Sequence, residues 1–414
     1  MSHPVILFIG HLWPEPTSSA AGYRTLALLK AIANKLPDWP LHFASAAEKT
    51  EFCADLGVLR ISSHSITLND SSFDHFIHEL QPDVVIYDRF ISEEQFAPRV
   101  QEQCPEAINI LDTQDLHFLR RARQKALTTN QAIELFSEDS IREISAILRC
   151  DLSLIISTYE MQLLSREFHI SADILHYCPF MLTLDTQQMA TYPSYEKREH
   201  FVMIGNFFHP PNWDAVLWCY QSIWPLIRQQ LPQAQLHVYG AYASDKVWQL
   251  HQPDKGFFIK GRADDAITTL SQYRVNLAPL RFGAGIKGKI ADGFMAQTPC
   301  VTTSIGQEGM ADNLPWGGLV SEGKDNETQI AQYALELYQN QPLWIQCSRQ
   351  GQQIIQQQFN ESHHVQAFIN TLQTLHDNLT THRQNNFFGQ ILRHHLYRSQ
   401  HYMSKWIEEK NKVK

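Results

Sequence analysis

The chain has 414 residues, more than the roughly 250–300 that one hydrophobic core serves, so two domains are expected. Its formal net charge of −9, from 34 basic and 43 acidic residues, argues against a general nucleic-acid binder, which needs a basic surface. With 43% apolar and 19% charged residues, the composition is typical of a globular protein and excludes a disordered chain.

Three sequence features indicate the compartment. No apolar run approaches the roughly 18 residues that a membrane-spanning helix needs. The amino-terminal run Val5–Ile9 is short and has no basic start, so it predicts a first strand and not a signal peptide. The seven cysteines are scattered without a CxxC pair, which indicates free thiols in a reducing compartment. We therefore expect a cytoplasmic protein.

Short apolar runs alternate with helical stretches over residues 1–182, which form the predicted first domain. A helix is predicted to begin near Ala20. The predicted strands are Val5–Ile9, Leu41–Ser45, Val58–Ser62, Asp83–Tyr87, Ala107–Leu111, Leu152–Ser157 and Ile174–Cys178. This alternation predicts a doubly wound parallel α/β sheet, whose ligands lie at the carboxyl ends of the strands. The loop after the first strand lacks the GxGxxG signature, so a nicotinamide cofactor is not indicated there.

Polar side chains follow two of these strands. Asp88 and Arg89 follow one, and Asp112, Asp115 and His117 follow the next. Their position at strand ends makes them candidates for a site in the first domain. The two aspartates after the second strand are equally compatible with N-caps of the following helix, and the arginines of that helix with a solvated face.

Residues 183–200 are polar and without periodicity, which predicts an interdomain linker before a second alternating domain over residues 201–376. The predicted strands of that domain are Phe201–Ile204, Gln235–Tyr239, Gly256–Lys260, Val275–Ala278 and Cys300–Thr302. An apolar stripe predicts a long helix that is kinked at Pro225. The tail, residues 377–414, is predicted to be a basic helical segment with interleaved aromatic residues. Its early part is expected to pack back on the first domain. The rest is either a solvated basic end or a segment that meets an anionic membrane face or a partner.

The most informative segment is a glycine-rich loop that precedes a predicted helix over Ile286–Gln297. Its glycines, Gly283, Gly285 and Gly288, let the backbone pass close to a ligand. The first amides of that helix have no intrahelical partner and point back at the loop, which predicts an anion site, most often for phosphate. The flanking cations are Arg281, Lys287 and Lys289. Glycines alone are equally typical of a plain tight turn, and the surrounding sequence favours the phosphate site.

Residues 277–309 read LAPLRFGAGIKGKIADGFMAQTPCVTTSIGQEG. This stretch closely resembles the nucleotide-sugar site of family-4-like glycosyltransferases of the GT-B fold, in the group 1 superfamily. The string GNFFHPPNWDA at residues 205–215 resembles the same family. The resemblance is strong over about residues 200–310 and weaker over residues 1–180. It implies two Rossmann-like, doubly wound domains facing a central cleft, and transfer of a sugar from a nucleotide diphosphate sugar with retained anomeric configuration.

The resemblance also implies the donor site. Carried over to this sequence, that site consists of Gly205, Asn206, Gly261, Arg262, Arg281, Gly283, Gly285, Ile286, Lys287, Asp292 and Glu308. It implies that Lys287 stabilises the departing diphosphate and that Asp292 holds the ribose hydroxyls. The chain departs from the family twice: Asn206 stands in the place of an arginine, with no lysine before the next helix, and Ala284 stands in the place of a glutamate near the donor sugar. We expect Lys287 and Arg281 to supply the missing positive charge.

In the resembled family, the strand that corresponds to Ala107–Leu111 often ends in a His-Asp pair, and a nearby histidine lies beside the sugar. Here Gln114-Asp115 stands at that place and His117 follows, so His117, Asp115 and Lys287 are the catalytic candidates in a shifted register. A histidine at a helix start is also often merely structural. The acceptor-side candidates are Gly22, Arg24, Asp88, Arg89 and Asp112. For Arg24, an anion contact and a solvated arginine at a helix start are equally compatible with the sequence.

The chain contains no DxD motif, with which some transferases hold a metal ion. Helix-end amides with lysine and arginine can stabilise the growing diphosphate charge instead, so we expect no metal and no cofactor besides the nucleotide sugar. In the resembled family the leaving phosphate itself acts as the base. Two other functions remain open, a nucleotide-sugar 2-epimerase and a catalytically degenerate GT-B subunit that binds nucleotide without turnover.

The expected partners are a nucleotide-sugar donor and a glycan, lipid-linked or small-molecule acceptor. Nucleic acid is not an expected partner, because the net charge is negative. The basic tail adds the expectation of a peripheral contact with the inner face of a membrane.

Overall fold

The computed structural model describes residues 3–323 and 326–412, which contain two parallel β-sheets. The first sheet has the order β3-β2-β1-β4-β5-β6-β7 and the second the order β10-β9-β8-β11-β12-β13. The strands of the first sheet are β1 (Ile6–Gly10), β2 (Leu41–Ser45), β3 (Ser62–Ser65), β4 (Val84–Asp88), β5 (Ile108–Asp112), β6 (Leu152–Ile155) and β7 (Leu175–Tyr177). Those of the second are β8 (Glu199–Ile204), β9 (Leu236–Tyr239), β10 (Phe257–Gly261), β11 (Tyr273–Ala278), β12 (Cys300–Thr303) and β13 (Gly318–Ser321). Both orders are doubly wound, so the predicted fold class is confirmed.

Helices connect the strands of each sheet. Those of the first domain are α1 (Ala20–Lys35), α2 (Ser71–Leu80), α3 (Arg89–Gln103), α4 (His117–Thr129), α5 (Glu138–Arg149) and α6 (Thr158–Glu167). The short α7 (Thr186–Met189) belongs to the segment of chain that connects the two sheets. Those of the second are α8 (Pro210–Trp218), α9 (Trp224–Gln230), α10 (Asp245–Trp248), α11 (Ala266–Leu270), α12 (Gly288–Met295), α13 (Ser304–Gln307), α14 (Glu327–Gln339) and α15 (Gln341–Gln358). The chain ends in α16 (Glu361–Asp377), α17 (Leu379–Asn385) and α18 (Phe387–Lys412).

Strand β1 shows why both faces of the first sheet are covered. Ile6 and Phe8 pack into one hydrophobic core, and Leu7 and Ile9 pack into the core on the opposite face. A strand that is apolar at every position exposes apolar surface on both sides unless helices cover each face. The apolar run therefore specifies a central strand of a doubly wound sheet.

The strand order places one ligand-binding edge in each domain. Strand β1 lies between β2 and β4, and β8 lies between β9 and β11, so connections leave in opposite directions from these neighbours. The loops at these carboxyl ends face each other, because the Asn206 side-chain amide donates to the Ser18 carbonyl at 3.3 Å. A cleft between the domains is thereby lined by the strand ends of both sheets.

One predicted strand is displaced. The sequence predicts a strand at Val58–Ser62, but residues Leu56–Leu59 form a 3-10 helix and β3 begins only at Ser62. Arg60 has a φ of 59°, which turns the chain between the two segments, and Val58 is exposed. As an edge strand with a polar sequence, β3 lacks the apolar run on which the prediction depends.

The helix that follows β8 is interrupted before the predicted proline. Helix α8 is followed by a π-helical turn over Cys219–Ile223 and then by α9, which carries Pro225 near its start. A proline removes one backbone donor and crowds the preceding turn, so the ladder of hydrogen bonds shifts there. The regular helix is therefore interrupted immediately before Pro225, where the sequence predicts a kink.

The carboxyl-terminal helices return to the first domain. The apolar side chains that α16 contributes to the core of that domain are Val365, Phe368, Ile369, Leu372 and Leu375. The return thus precedes residue 376, where the sequence predicts the end of the second domain. At the crossing, the Leu182 amide donates to the Phe359 carbonyl (2.8 Å), and the Glu361 amide donates to the Leu182 carbonyl (3.1 Å). Two connections between the domains therefore run side by side.

Helix α18 lies on α3 and α5 of the first domain. Arg393 is buried and donates to Asp151 (2.7 Å), and Glu408 pairs with Arg99 (3.2 Å). Part of the basic character of the tail thus neutralises acids of the first domain. The exposed large apolar side chains of this helix are Phe387, Phe388, Ile391, Tyr402, Met403 and Trp406. Among the described residues, no helix combines the length and apolar content needed to cross a bilayer.

Candidate active site

The glycine loop lies in the cleft, against the start of α4 in the first domain. Gly285 has a φ of +62°, and a Cβ on it would lie 2.8 Å from the Cβ of Asp115. Both its left-handed backbone and this close approach require glycine. The Ile286 side chain is buried in a core that includes Ile156 and Phe180, so only its backbone can face a ligand.

The start of α4 is capped by two glutamates from other helices. The Glu143 carboxylate accepts the amides of His117 (3.1 Å) and Phe118 (2.8 Å). One oxygen of Glu160 accepts the Leu116 amide (2.9 Å) and, across the cleft, the Gly285 amide (2.8 Å). The expectation that Asp112 or Asp115 caps this helix is therefore wrong, because the orphan amides of the first turn are already satisfied. Burial is the main cause that raises the pKa of Glu143 to about 8 and of Glu160 to about 7.

Asp115 and His117, two of the predicted catalytic residues, lie together at this helix start. The His117 Nε2 atom is 3.2 Å from Asp115 Oδ1, and Arg120 pairs with the other carboxylate oxygen. Burial opposes the ionised form of Asp115, but the charge of Arg120 and its hydrogen bond outweigh it and hold the pKa of Asp115 below its usual range. Burial lowers the pKa of His117 to about 3, so the imidazole is neutral at pH 7. The pair can hydrogen-bond a sugar hydroxyl as a carboxylate with a neutral imidazole.

Arg123 joins the two domains. Its guanidinium donates to the Gly283 carbonyl at 2.7 Å and to both carboxylate oxygens of Glu308 at 2.8 and 2.7 Å. It also donates to the Tyr159 hydroxyl at 3.2 Å. Arg123 is buried, so the expectation of a solvated arginine face is wrong for this residue, while Arg121 is exposed and pairs with Asp139. The predicted donor residues Gly283 and Glu308 are thus held from the first domain.

Lys287 is buried within the glycine loop. Its ammonium group donates to the Gly285 carbonyl at 2.5 Å. Burial lowers the pKa of Lys287 to about 8, which Glu308 partly opposes, so the side chain remains protonated at pH 7. By contrast, Arg281 donates twice to Asp214, at 2.9 and 2.5 Å, and lies over the Trp218 ring. The guanidinium of Arg281 is therefore engaged, which does not support its expected role at the diphosphate.

Asp292 lies on α12 with Tyr23 of the first domain and Asp265 of the second in its electrostatic surroundings. Burial, followed by the charge of Asp265, raises the pKa of Asp292 to about 7. Among the described residues, no hydrogen bond to the Asp292 carboxyl is formed within the protein. A carboxyl group held this way has its oxygens open to hydroxyl donors of a ligand, as the predicted ribose contact requires.

We expect that Asp292→Asn raises the free energy of unfolding at pH 8 by about 2 kcal/mol and changes it little at pH 4. The carboxyl loses its proton near pH 3.8 when unfolded and near pH 7 when folded. Between these values the folded state binds more protons, so its stability falls as pH rises, and an amide avoids that loss. Urea unfolding at the two pH values measures the effect, with the exposed Asp254→Asn as the control. Equal destabilisation at both pH values would contradict it.

Among the acceptor-side candidates, Arg24 and Asp112 pair with each other. The pair is fully buried, and the second Arg24 nitrogen donates to the Cys178 carbonyl at 2.8 Å. The guanidinium is already satisfied, so the expected anion contact by Arg24 is not supported. The close backbone contact of Gly22 is with its own domain, since a Cβ on this residue would lie 2.5 Å from the Glu15 carbonyl oxygen.

Asp88 and Arg89 lie at the carboxyl end of β4, beside the end of β1. Asp88 accepts the His11 amide at 3.1 Å, and its other oxygen is buried without a partner among the described residues. Arg89 has a φ of 69° and lies 3.9 Å from Asp88. These residues line the first domain's side of the cleft, where the expected acceptor would bind.

The rim of the cleft is closed by further contacts between the domains. Arg262 donates to the Thr17 hydroxyl at 2.8 Å and lies over the Phe52 ring. The Tyr242 hydroxyl donates to the Glu15 carboxylate at 2.7 Å. Arg262 follows Gly261, whose φ of +71° produces the turn. The predicted donor residues at this turn therefore face the first domain.

Sequence reasoning missed three residues of the cleft. Glu160 and Arg123 bind the glycine loop from the first domain, and His209 is surrounded by Asp115, Arg120 and Lys289. The desolvating surroundings of the cleft, followed by the charge of Arg120, lower the pKa of His209. The available signal was spacing: Arg120 and Arg123 follow His117 at intervals of three, which places all three on one helix face.

Comparison with known proteins finds a family match for one segment of the second domain. Residues 198–340 match the family described as glycosyl transferases, group 1. No curated protein matches the chain at a significant level. At the low identities found among solved structures, structural similarity shows the fold alone.

Three solved structures share the fold. HepE from Anabaena, in complex with UDP and glucose, has a TM-score of 0.68 and 13% identity, over 90% of this chain and 100% of that chain. WaaG, a glycosyltransferase involved in lipopolysaccharide biosynthesis, has a TM-score of 0.61 and 10% identity, over 87% and 98%. TarM from S. aureus has a TM-score of 0.56 and 14% identity over 72% of this chain, which spans only 58% of the TarM chain. The second domain thus contains a segment that matches the group 1 glycosyl transferases, and the chain as a whole has the two-domain GT-B fold of these structures.

Proposed function

We propose that the protein transfers a sugar from a nucleotide diphosphate sugar to a saccharide-bearing acceptor, without a metal ion and with retention of the anomeric configuration. One observation carries the proposal: the glycine loop and the buried Lys287 meet Asp115 and His117 of the other domain across a single cleft. A donor bound at the loop would have its sugar beside that pair, where an acceptor can approach from the first domain.

The reaction needs a stabilised leaving group. As the bond between the sugar C1 and the phosphate oxygen breaks, negative charge grows on the diphosphate, and the amides at the start of α12 and the Lys287 ammonium stabilise it. The acceptor oxygen bonds to C1 on the same face, and its proton passes to the departing phosphate oxygen. Asp115 and His117 position the sugar hydroxyls, and Asp292 holds the ribose.

The acceptor class follows from what the fold relatives bind or make. WaaG is described as taking part in lipopolysaccharide biosynthesis, and TarM as binding α-GlcNAc-glycerol and UDP. We infer that a glycan, a lipid-linked sugar or a small glycoside is the acceptor here. Asp88 and Arg89 at the end of β4 supply its polar contacts.

The experiment that tests the function presents the full chain with UDP-, GDP- and dTDP-linked sugars and with sugar acceptors. Release of a nucleoside diphosphate that depends on an acceptor, undiminished by EDTA, is the expected result. Conversion of the donor to its 2-epimer would show an epimerase. Nucleotide binding without turnover of any donor would show a degenerate subunit, and either result would replace the proposal.

We also propose that α18 contacts an anionic membrane face, with Phe388 and Trp406 on its exposed side and Lys410 beside the Trp406 ring. Replacing both aromatic residues by serine is expected to reduce co-sedimentation with phosphatidylglycerol vesicles. Both side chains are exposed, so folding and turnover of a water-soluble acceptor are expected to be unchanged. Equal co-sedimentation of the variant and the natural protein would contradict the proposal.

A further inference from the structure

The loop after β8 lacks the cations that a diphosphate would meet there. In this chain Asn206 is uncharged, and residues 207–212 contain no lysine or arginine. The second domain must therefore bring positive charge to this strand end from another element, or the diphosphate lacks it.

Lys289 reaches this loop from the first turn of α12. Its ammonium group donates to the side-chain oxygen of Asn212. The Asn212 amide nitrogen in turn donates to the Asn206 carbonyl at 2.8 Å, and Asn212 packs against Gly205, where a Cβ would lie 2.6 Å from that nitrogen. The contact chain fixes the Lys289 ammonium at the carboxyl end of β8, in the region of the missing cations.

The other two cations of the segment do not lie at the end of β8. Arg281 is held by Asp214, and the Lys287 ammonium is bound to the Gly285 carbonyl at the domain interface. Within residues 3–323 and 326–412, no carboxylate lies within 4 Å of the Lys289 ammonium. Burial lowers the pKa of Lys289 to about 8, and the side chain stays protonated at pH 7. The Lys289 ammonium is partly buried, and a partly buried ammonium group without a counter-ion is unfavourable, so a bound anion would offset that cost.

We propose that Lys289, held by Asn212, is the cation that binds the donor diphosphate at the end of β8. The inference rests on the proposed function and adds the residue that replaces the absent loop cations. The α12 amides and the glycine loop lie beside it, so the ligand is a nucleoside diphosphate and not a nucleoside alone. Lys289 is thus a binding residue, distinct from Lys287, which faces the first domain.

The test begins with calorimetric titration of the full chain with UDP, GDP, ADP and dTDP, and with the corresponding nucleosides. The diphosphate that binds best is then titrated into Lys289→Gln, which keeps a polar contact to Asn212 and removes only the charge. We expect binding about 10- to 100-fold weaker, since a hydrogen bond to a charged group is lost, and no change for the nucleoside. Lys197→Gln, exposed at the amino end of β8, is the matched control.

A double variant, Lys289→Asn with Asn212→Lys, moves the ammonium group to the other side of the same contact. It is expected to regain most of the lost affinity, a result that a structural role for Lys289 does not predict. Equal diphosphate affinity of Lys289→Gln and the natural protein, or a parallel loss of nucleoside binding, would overturn the inference alone. Failure of the natural protein to bind any of the four diphosphates would overturn the proposed function together with it.

Discussion

Replacing Lys287 by alanine is expected to lower kcat by about 10²- to 10³-fold, the usual effect of removing one group that stabilises developing negative charge. The ammonium group is buried in the loop that faces the first domain, so water cannot replace it fully at the moment when the diphosphate departs. The loss should fall on kcat more than on the donor KM, because the stabilised charge grows only as the bond breaks.

The pH dependence gives an independent measurement for the same residue. Because burial lowers the pKa of Lys287 to about 8, the ammonium form is lost as pH rises through that value. The kcat of the natural enzyme, measured at saturating donor, should therefore decline above about pH 8, and this decline should be missing from the kcat profile of Lys287→Ala. Saturation with donor removes the contribution of Lys289, whose pKa burial also lowers to about 8 and which acts in binding. Lys255→Ala, exposed before β10, is the control. An unchanged kcat in Lys287→Ala would remove this residue from the mechanism.

Arg123→Met is expected to destabilise the closed arrangement of the domains. The substitution removes three bonds to the second domain and leaves the Glu308 carboxylate, whose side chain is only 14% exposed, without a counter-charge. Removing one partner of a buried ion pair costs about 3 kcal/mol or more. We expect a loss of that size in the free energy of unfolding, measured with urea, and a fall in kcat/KM because the cleft no longer holds the glycine loop.

The helix supplies a matched control for this prediction. Arg121 lies two residues earlier, is exposed, and pairs with Asp139 at the surface. Arg121→Met should change stability by no more than about 0.5 kcal/mol, as surface pairs usually do. Nucleotide binding to Arg123→Met should persist, since the second domain supplies the donor contacts. Similar stabilities of the two variants would show that the Arg123 contacts do not hold the domains together.

The fold was largely predictable, for reasons that differ between elements. Strands such as β1 and β4 are apolar at nearly every position, and a strand buried on both faces has no other compatible place. The short strand β13, with the sequence GLVS, carries too few apolar residues to be distinguished from a loop. The predicted position of β3 along the chain was wrong, because polar edge strands lack the apolar run that marks a buried strand.

The candidate site was predictable only where its residues are adjacent in sequence. The glycine loop, Lys287 and Asp292 lie within one segment, and the prediction named them together. Glu160 acts on Gly285 from 125 positions away, and Arg123 reaches Glu308 across 185 positions. Neither partner can be paired from local pattern, because the contacts depend on how two separately folded sheets meet. Arg24 shows the converse, since its sequence context suggests exposure and its buried pairing with Asp112 is tertiary.

The paired connections at Leu182 and Phe359 determine how a substrate can enter. The hydrogen bonds between the two connections join them into one narrow hinge, and rotation about the axis of this hinge is easier than twisting it. The two domains should therefore open by a hinge rotation about these paired connections. Donor and acceptor would enter on the side of the cleft away from this hinge, where the Glu15–Tyr242 and Arg262–Thr17 hydrogen bonds hold the domains closed.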